Sequence, residues 1–228
     1  MLVFFMRSGP MHPNLACLPY RFPAALPAAF KAYRGILLDV DGTLADSNLL
    51  HARTWQQGFM QAGYPVTLAD VYARIGKGAD WLLPELTGIK DHSAEGQALI
   101  QQQSEAFLKD LPTVQAIAGA REWIEQLKKQ GYLVALASSG SPEHVAATLR
   151  QIGLADLLQP LPARLLPEDS KPAPDVIEQA AQSIGLAPAD CVMVGDTIYD
   201  AQAAKKAGSA FWPVLTNPVW AAQLCTTV

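Results

Sequence analysis

Short apolar runs that break off abruptly at polar or glycine residues constrain this chain more than any other feature. Gly35-Ile36-Leu37-Leu38 stops at Asp39-Val40-Asp41-Gly42-Thr43. Residues 132–137 stop at Ser138-Ser139-Gly140, and Cys191-Val192-Met193-Val194 stops at Gly195-Asp196. A weaker run covers 210–215, and another short element is expected near 157–161. Such runs show no polar alternation, so they suit strands covered on both faces.

Helical patterns fall between the runs. Residues 120–130 put Trp123, Ile124 and Leu127 on one face, with Gly131 placed to end the helix. Residues 142–152 follow Ser141, a good N-cap residue, and begin with proline at the first helical position. Further helices are expected over 174–184 and 199–207, closed by Gly185 and Gly208. Strands alternating with helices imply right-handed crossovers and a parallel sheet. About ninety residues separate the first run from the second, far more than one crossover needs. Helical patterns at 51–62, 68–75, 79–86 and 93–111 fill the gap. They are read as a small helical cap over 47–111, inserted into an α/β core of 34–46 and 112–228. Trp55, Phe59 and Trp81 read as core of that cap. Residues 1–33 hold five prolines and no acid, and read as a poorly ordered extension.

Composition removes several function classes. Hydrophobic residues make up 50% of the chain, which argues for a packed core. The formal net charge is -4 with no long run of either sign, so nothing attracts nucleic acid. No stretch has the roughly 18–20 apolar residues that cross a bilayer. The apolar start lacks the basic lead of a signal peptide. Three scattered cysteines suit a reducing compartment, and Cys191 reads as core. A cytoplasmic location is expected. The sequence does not choose between a monomer and a homodimer.

In a parallel α/β sheet, ligands sit beyond the carboxyl ends of the strands. Three strand ends here deliver polar groups: Asp39 and Asp41, then Ser138 with Ser139 beside it, then Asp196 with Asp200 four residues on. Lys171 precedes a helix. A carboxylate can attack phosphorus, and a second one can move the protons. Carboxylates this close call for a divalent cation, and magnesium takes hard oxygen ligands. Ser138 and Lys171, with Ser139 beside them, are expected to bind the phosphate, while Gly42 lets backbone approach and Thr43 supports the turn.

These residues resemble four ordered signatures of the haloacid-dehalogenase superfamily of hydrolases. Asp39-Val40-Asp41-Gly42-Thr43 is similar to the first, Ser138 to the second, Lys171 to the third, and Gly195-Asp196-Thr197-Ile198-Tyr199-Asp200 to the fourth. Asp46-Ser47-Asn48-Leu49-Leu50-His51 and Arg74-Ile75-Gly76-Lys77-Gly78 resemble runs of its phosphoglycolate-phosphatase-like and β-phosphoglucomutase-like branch. The resemblance implies a flavodoxin-like core with a helical cap. It implies Asp39 as nucleophile, Asp41 as general acid and base, and magnesium held by Asp39, the Asp41 backbone carbonyl, Asp196 and Asp200. The expected activity is hydrolysis of a small phosphorylated metabolite, with a phosphomutase as the alternative. A dehalogenase needs no acid at Asp41, and a silent binding module would not need the full set. Arg74, Lys77 and His51 are the cap residues expected to reach substrate. Family members usually continue past the segment resembling Val214-Leu215-Thr216, whereas this chain stops at Val228, which puts an edge strand in question.

Overall fold

The structure, a computed structural model, describes residues 21–216. Four parallel strands form one sheet in the order β2-β1-β3-β4. They are β1 (Gly35–Leu38), β2 (Leu133–Leu136), β3 (Cys191–Gly195) and β4 (Ala210–Pro213). Gly35 stands opposite Leu133 on one side and Cys191 on the other, so the strands end nearly level. All four lie where the apolar runs place them. The element expected near 157–161 is irregular instead. Pro160 and Pro162 offer no backbone N–H to a neighbouring strand there.

Alternation within β1 fills both faces of the sheet. Ile36 and Leu38 join Trp123, Ile124 and Leu127 of the helix Ala120–Lys129. Leu37 joins Val176, Ile177 and Ala180 of Asp175–Ser183, and Ala201 and Ala204 of Ile198–Ala207. The described part of the proline-rich start, 21–33, packs two rings against the core. Phe30 is fully buried, packed edge-on against Trp212 and Trp123, and Phe22 lies 4.7 Å from Trp123. Each such phenyl ring contributes about 1.5–3 kcal/mol of burial, enough to order a short segment. Residues 1–20 of that reading, and the chain end at 217–228, lie outside the described residues.

Four helices lie between β1 and β2: Asn48–Gln61, Leu68–Tyr72, Ala79–Thr87 and Ala94–Asp110. They share a core of their own around Trp55, Phe59, Leu82, Leu83 and Leu99. Trp81 corrects the sequence reading. It is 40% exposed, because the buried face of its short helix is made by Leu82 and Leu83. In chain order the α-helices among the described residues are α1 to α4 for these four, then α5 (Ala120–Lys129), α6 (Pro142–Gln151), α7 (Asp175–Ser183) and α8 (Ile198–Ala207).

Candidate active site

β1 ends at Leu38, so Asp39 is the first side chain past the sheet edge. It remains 4% exposed, because its backbone N–H still donates to Val194 of β3 at 3.0 Å. At the end of β3, Asp196 is 1% exposed. Asp200 follows on the first turn of α8 and is fully buried. Thr197 and Asp200 form a capping box: the Thr197 backbone and hydroxyl donate to one Asp200 oxygen at 3.0 and 2.6 Å. Helix start and site residue are therefore one and the same side chain here. Gly195 is needed beside it, since a Cβ there would fall 2.4 Å from the Asp200 carboxyl carbon.

Lys171, 1% exposed, sits between two of these acids. Its ammonium donates to Asp39 Oδ1 and Asp200 Oδ1, both at 2.6 Å. The loop carrying it is pinned by Ser139, whose hydroxyl accepts from the Lys171 backbone N–H at 3.2 Å. Ser139 is thus tied to the lysine loop. Ser138 accepts from the Gly140 N–H at 3.0 Å, which leaves its own hydrogen to donate. That turn lies beside Asp41, since a Cβ on Gly140 would be 4.0 Å from an Asp41 oxygen.

Asp41 faces a different set. Ser47 and His51 converge on its Oδ1, at 2.5 and 3.0 Å. His51 lies flat on Phe107, with ring centres 4.0 Å apart, and its Nδ1 is 3.3 Å from the amide of Gln103. A carboxylate oxygen only accepts, so His51 Nε2 presents its hydrogen toward Asp41. His51 therefore contacts a core acid.

Charge explains the titration of the group. Burial pushes Asp39 up to about 7, against Lys171, which lowers it, and with help from Asp200 and Asp41. Asp196 is held well above the usual carboxylate range by burial, then by Asp39 and Asp200. Burial also pulls Asp41 upward, but His51, Ser47 and Lys171 outweigh it and leave it at about 2. Lys171 is raised: burial opposes its charge, but Asp200 and Asp39 prevail.

The donor set suits a hard divalent cation. Oxygens of Asp39, Asp196 and Asp200 lie within 4.8 Å of one another. Once ionised, three carboxylates against one ammonium leave negative charge for a cation to match. Gly42, at φ 75°, keeps the space clear: a Cβ there would fall 2.2 Å from Asp196 Oδ2. The Asp41 side chain stands outside this cluster among the described residues.

The loop 73–80 rests on the core beside the acids. Tyr199 donates to the Ala73 carbonyl at 3.0 Å, and the Gly78 N–H donates to the Ser170 hydroxyl at 2.9 Å. Ser170 in turn donates to Asp80 through its backbone N–H at 3.1 Å and its hydroxyl at 2.5 Å. Gly76, at φ 105°, touches Thr197, where a Cβ would come within 2.8 Å. Arg74 and Lys77 both pair with Glu85. The Lys77 ammonium lies 4.8 Å above the Tyr199 ring.

Sequence reasoning assigned no role to Asn48 or Ser170. Asn48, the first residue of α1, donates to Asp196 Oδ2 at 2.7 Å. Nothing in its local sequence signals this, since an Asn at a helix start ordinarily caps it.

A family model described as haloacid dehalogenase-like hydrolase matches residues 33–208. The chain belongs to the haloacid dehalogenase-like hydrolases. Phosphoglycolate phosphatase of Vibrio vulnificus (strain CMCP6) is 32% identical over 192 residues, covering 77% of this chain and 80% of that protein. Fructose-1-phosphate phosphatase of Escherichia coli (strain K12) is 25% identical over 187 residues, covering 78% and 95%. A hydrolase from Pseudomonas syringae shares the fold, with a TM-score of 0.74 at 23% identity over 84% of this chain and 89% of that one. The haloacid dehalogenase-like fold accounts for the parallel sheet and for the strand ends as the place where the acids gather.

Proposed function

We propose that this haloacid dehalogenase-like hydrolase is a magnesium-dependent phosphatase of a small phosphorylated metabolite, with Asp39 as covalent nucleophile. The observation that carries the reading is the buried Lys171 ammonium, bonded at 2.6 Å to Asp39 and to Asp200 beside Asp196. It favours the ionised, attacking form of an acid that burial alone would protonate. The names of the relatives above support a phosphate ester as substrate.

Asp39, Asp196 and Asp200 would hold the cation, with the Asp41 backbone carbonyl as a further ligand. When bound, magnesium would neutralise phosphoryl oxygens and so let a carboxylate approach. An Asp39 oxygen attacks phosphorus, and the bond to the ester oxygen breaks with its electron pair. Asp41 supplies the proton that this leaving oxygen takes up. A water then attacks the aspartyl-phosphate at phosphorus and gives its proton to Asp41, releasing phosphate and restoring Asp39. Ser138 and Lys171 hold phosphoryl oxygens. With Asp41 at about 2, the contacts to Ser47 and His51 suit its base form. Its acid form requires those contacts to open, and all three residues lie where the chain leaves the core for the cap. The helices of 47–111 exclude water during phosphorylation. Lys77, seated over Tyr199, and Arg74 are the cap residues proposed to meet a second anionic group of the substrate.

A phosphate-release screen over sugar, glycolate and nucleotide phosphates, with magnesium and with chelator, tests the reading. Chelator-sensitive release of inorganic phosphate is expected. Release from no substrate, or release indifferent to chelator, would overturn it. Transfer to a sugar hydroxyl in place of release would identify a mutase.

A further inference from the structure

Asn48 is 5% exposed, and only half of its amide is accounted for. Nδ2 donates to Asp196 Oδ2 at 2.7 Å, whereas Oδ1 is buried with no hydrogen-bond partner among the described residues. With Asp196 ionised, as a bound cation would hold it, the amide has to present its nitrogen, since its oxygen would otherwise face a carboxylate oxygen at the same short distance. A buried acceptor left unpaired is uncommon and calls for an explanation.

The surroundings narrow the explanation. Asp196 lies against Asp39 and Asp200, whose oxygens, once ionised around a cation, only accept. The Lys171 ammonium serves Asp39 and Asp200, and the Thr43 hydroxyl lies 3.2 Å from Asp196. Gly42 closes the other side: a Cβ there would fall 2.1 Å from Asn48 Nδ2. None of these neighbours supplies a donor for Oδ1, and a ligand bound among the acids would bring one.

We infer that Asn48 is a positioning residue for the cation site, a role that rests on the cation reading above. Its Nδ2 aims the Asp196 carboxylate, and its Oδ1 accepts a hydrogen bond from a water carried by the cation. Magnesium gives up its water reluctantly and usually keeps several such ligands, so a neutral acceptor at this place suits it.

The test uses the full chain and magnesium alone, without substrate. Calorimetry gives the magnesium Kd, and thermal unfolding without metal gives Tm, for the native chain, Asn48→Leu and Asn48→Ala. Asn48→Ala serves if the bulkier apolar variant fails to fold. The Kd is expected to rise by about tenfold or more in the variants, as loss of a residue that orients a metal ligand does. A crystal of the magnesium-loaded native chain is expected to hold a metal-bound water about 2.5–3.0 Å from Oδ1. Variants that lose Tm yet bind magnesium as tightly as the native chain would overturn the role of Asn48 alone. So would a magnesium-loaded crystal with no donor at Oδ1. A native chain that binds no magnesium would overturn this role and the cation reading together.

Discussion

Replacing Lys171 with methionine removes one ammonium and keeps most of the packing. Lys171 is 1% exposed and donates to Asp39 and Asp200 at 2.6 Å each. A hydrogen bond to a charged group contributes about 1.5–3 kcal/mol, so two contribute about 3–6. Removing one partner of a buried ion pair costs about 3–5 kcal/mol by a separate route, and the two ranges agree. For a chain of this size, 1 kcal/mol moves Tm by about 2–4 °C, so metal-free Lys171→Met should melt about 6–20 °C below the native protein. The lysine itself adds no pH dependence near neutrality. Its pKa is raised in the fold, so its contribution is whole below the unfolded value of about 10.4 and is lost only as pH climbs through the higher folded value. The acids behave otherwise. Asp39 is already pushed up to about 7, and without Lys171 it moves further up, so its ionisation becomes costlier as pH rises. The Tm deficit should therefore be larger near pH 8 than near pH 5. Calorimetric or fluorescence melts at both pH values check this. A Tm unchanged from native, or a deficit that shrinks as pH rises, would rule out this role for Lys171.

Asp39→Asn should reduce magnesium-dependent turnover to background while circular dichroism stays native, because the amide keeps the shape and carries no charge to desolvate. More than a trace of remaining turnover would rule out Asp39 as nucleophile. Magnesium should raise the native Tm more near pH 8 than near pH 5. The Asp39 pKa is raised to about 7, so the folded state takes up a proton there as pH falls, and that proton competes with the cation. A magnesium-induced rise independent of pH would count against Asp39 as a ligand. Arg74→Ala and Lys77→Ala should lower kcat/KM on the best metabolite more than on a small aryl phosphate. Lys77→Ala should show the larger effect, since its ammonium lies over Tyr199 while the Arg74 side chain is 31% exposed. Equal losses on both substrates, or none, would place substrate selection elsewhere in the cap.

Much of the fold was legible because its determinants are local. β1 begins and ends where the apolar run does, since Asp39-Val40-Asp41-Gly42 cannot extend a strand buried on both faces. The helix α6 starts at Pro142 after Ser141, whose hydroxyl accepts from the His144 N–H as an N-cap should. Asp39, Asp196 and Asp200 could be expected together because parallel strands deliver their ends to one edge. Which side chain faces which is set by the assembled fold. Lys171 meets Asp39 across 132 residues of sequence and Asn48 meets Asp196 across 148, and no local pattern encodes either distance. Both depend on how the crossovers and the inserted helices dock. The same holds for His51, turned onto Asp41 by Phe107 and Gln103, and for Ser139, used to pin the lysine loop. Phe22 and Phe30 make the point from the other side. Proline spacing made their segment look loose, but a sheet face between Trp123 and Trp212 had room for their rings. A sequence states what each residue can do locally; burial and charge pairing are properties of the assembled site.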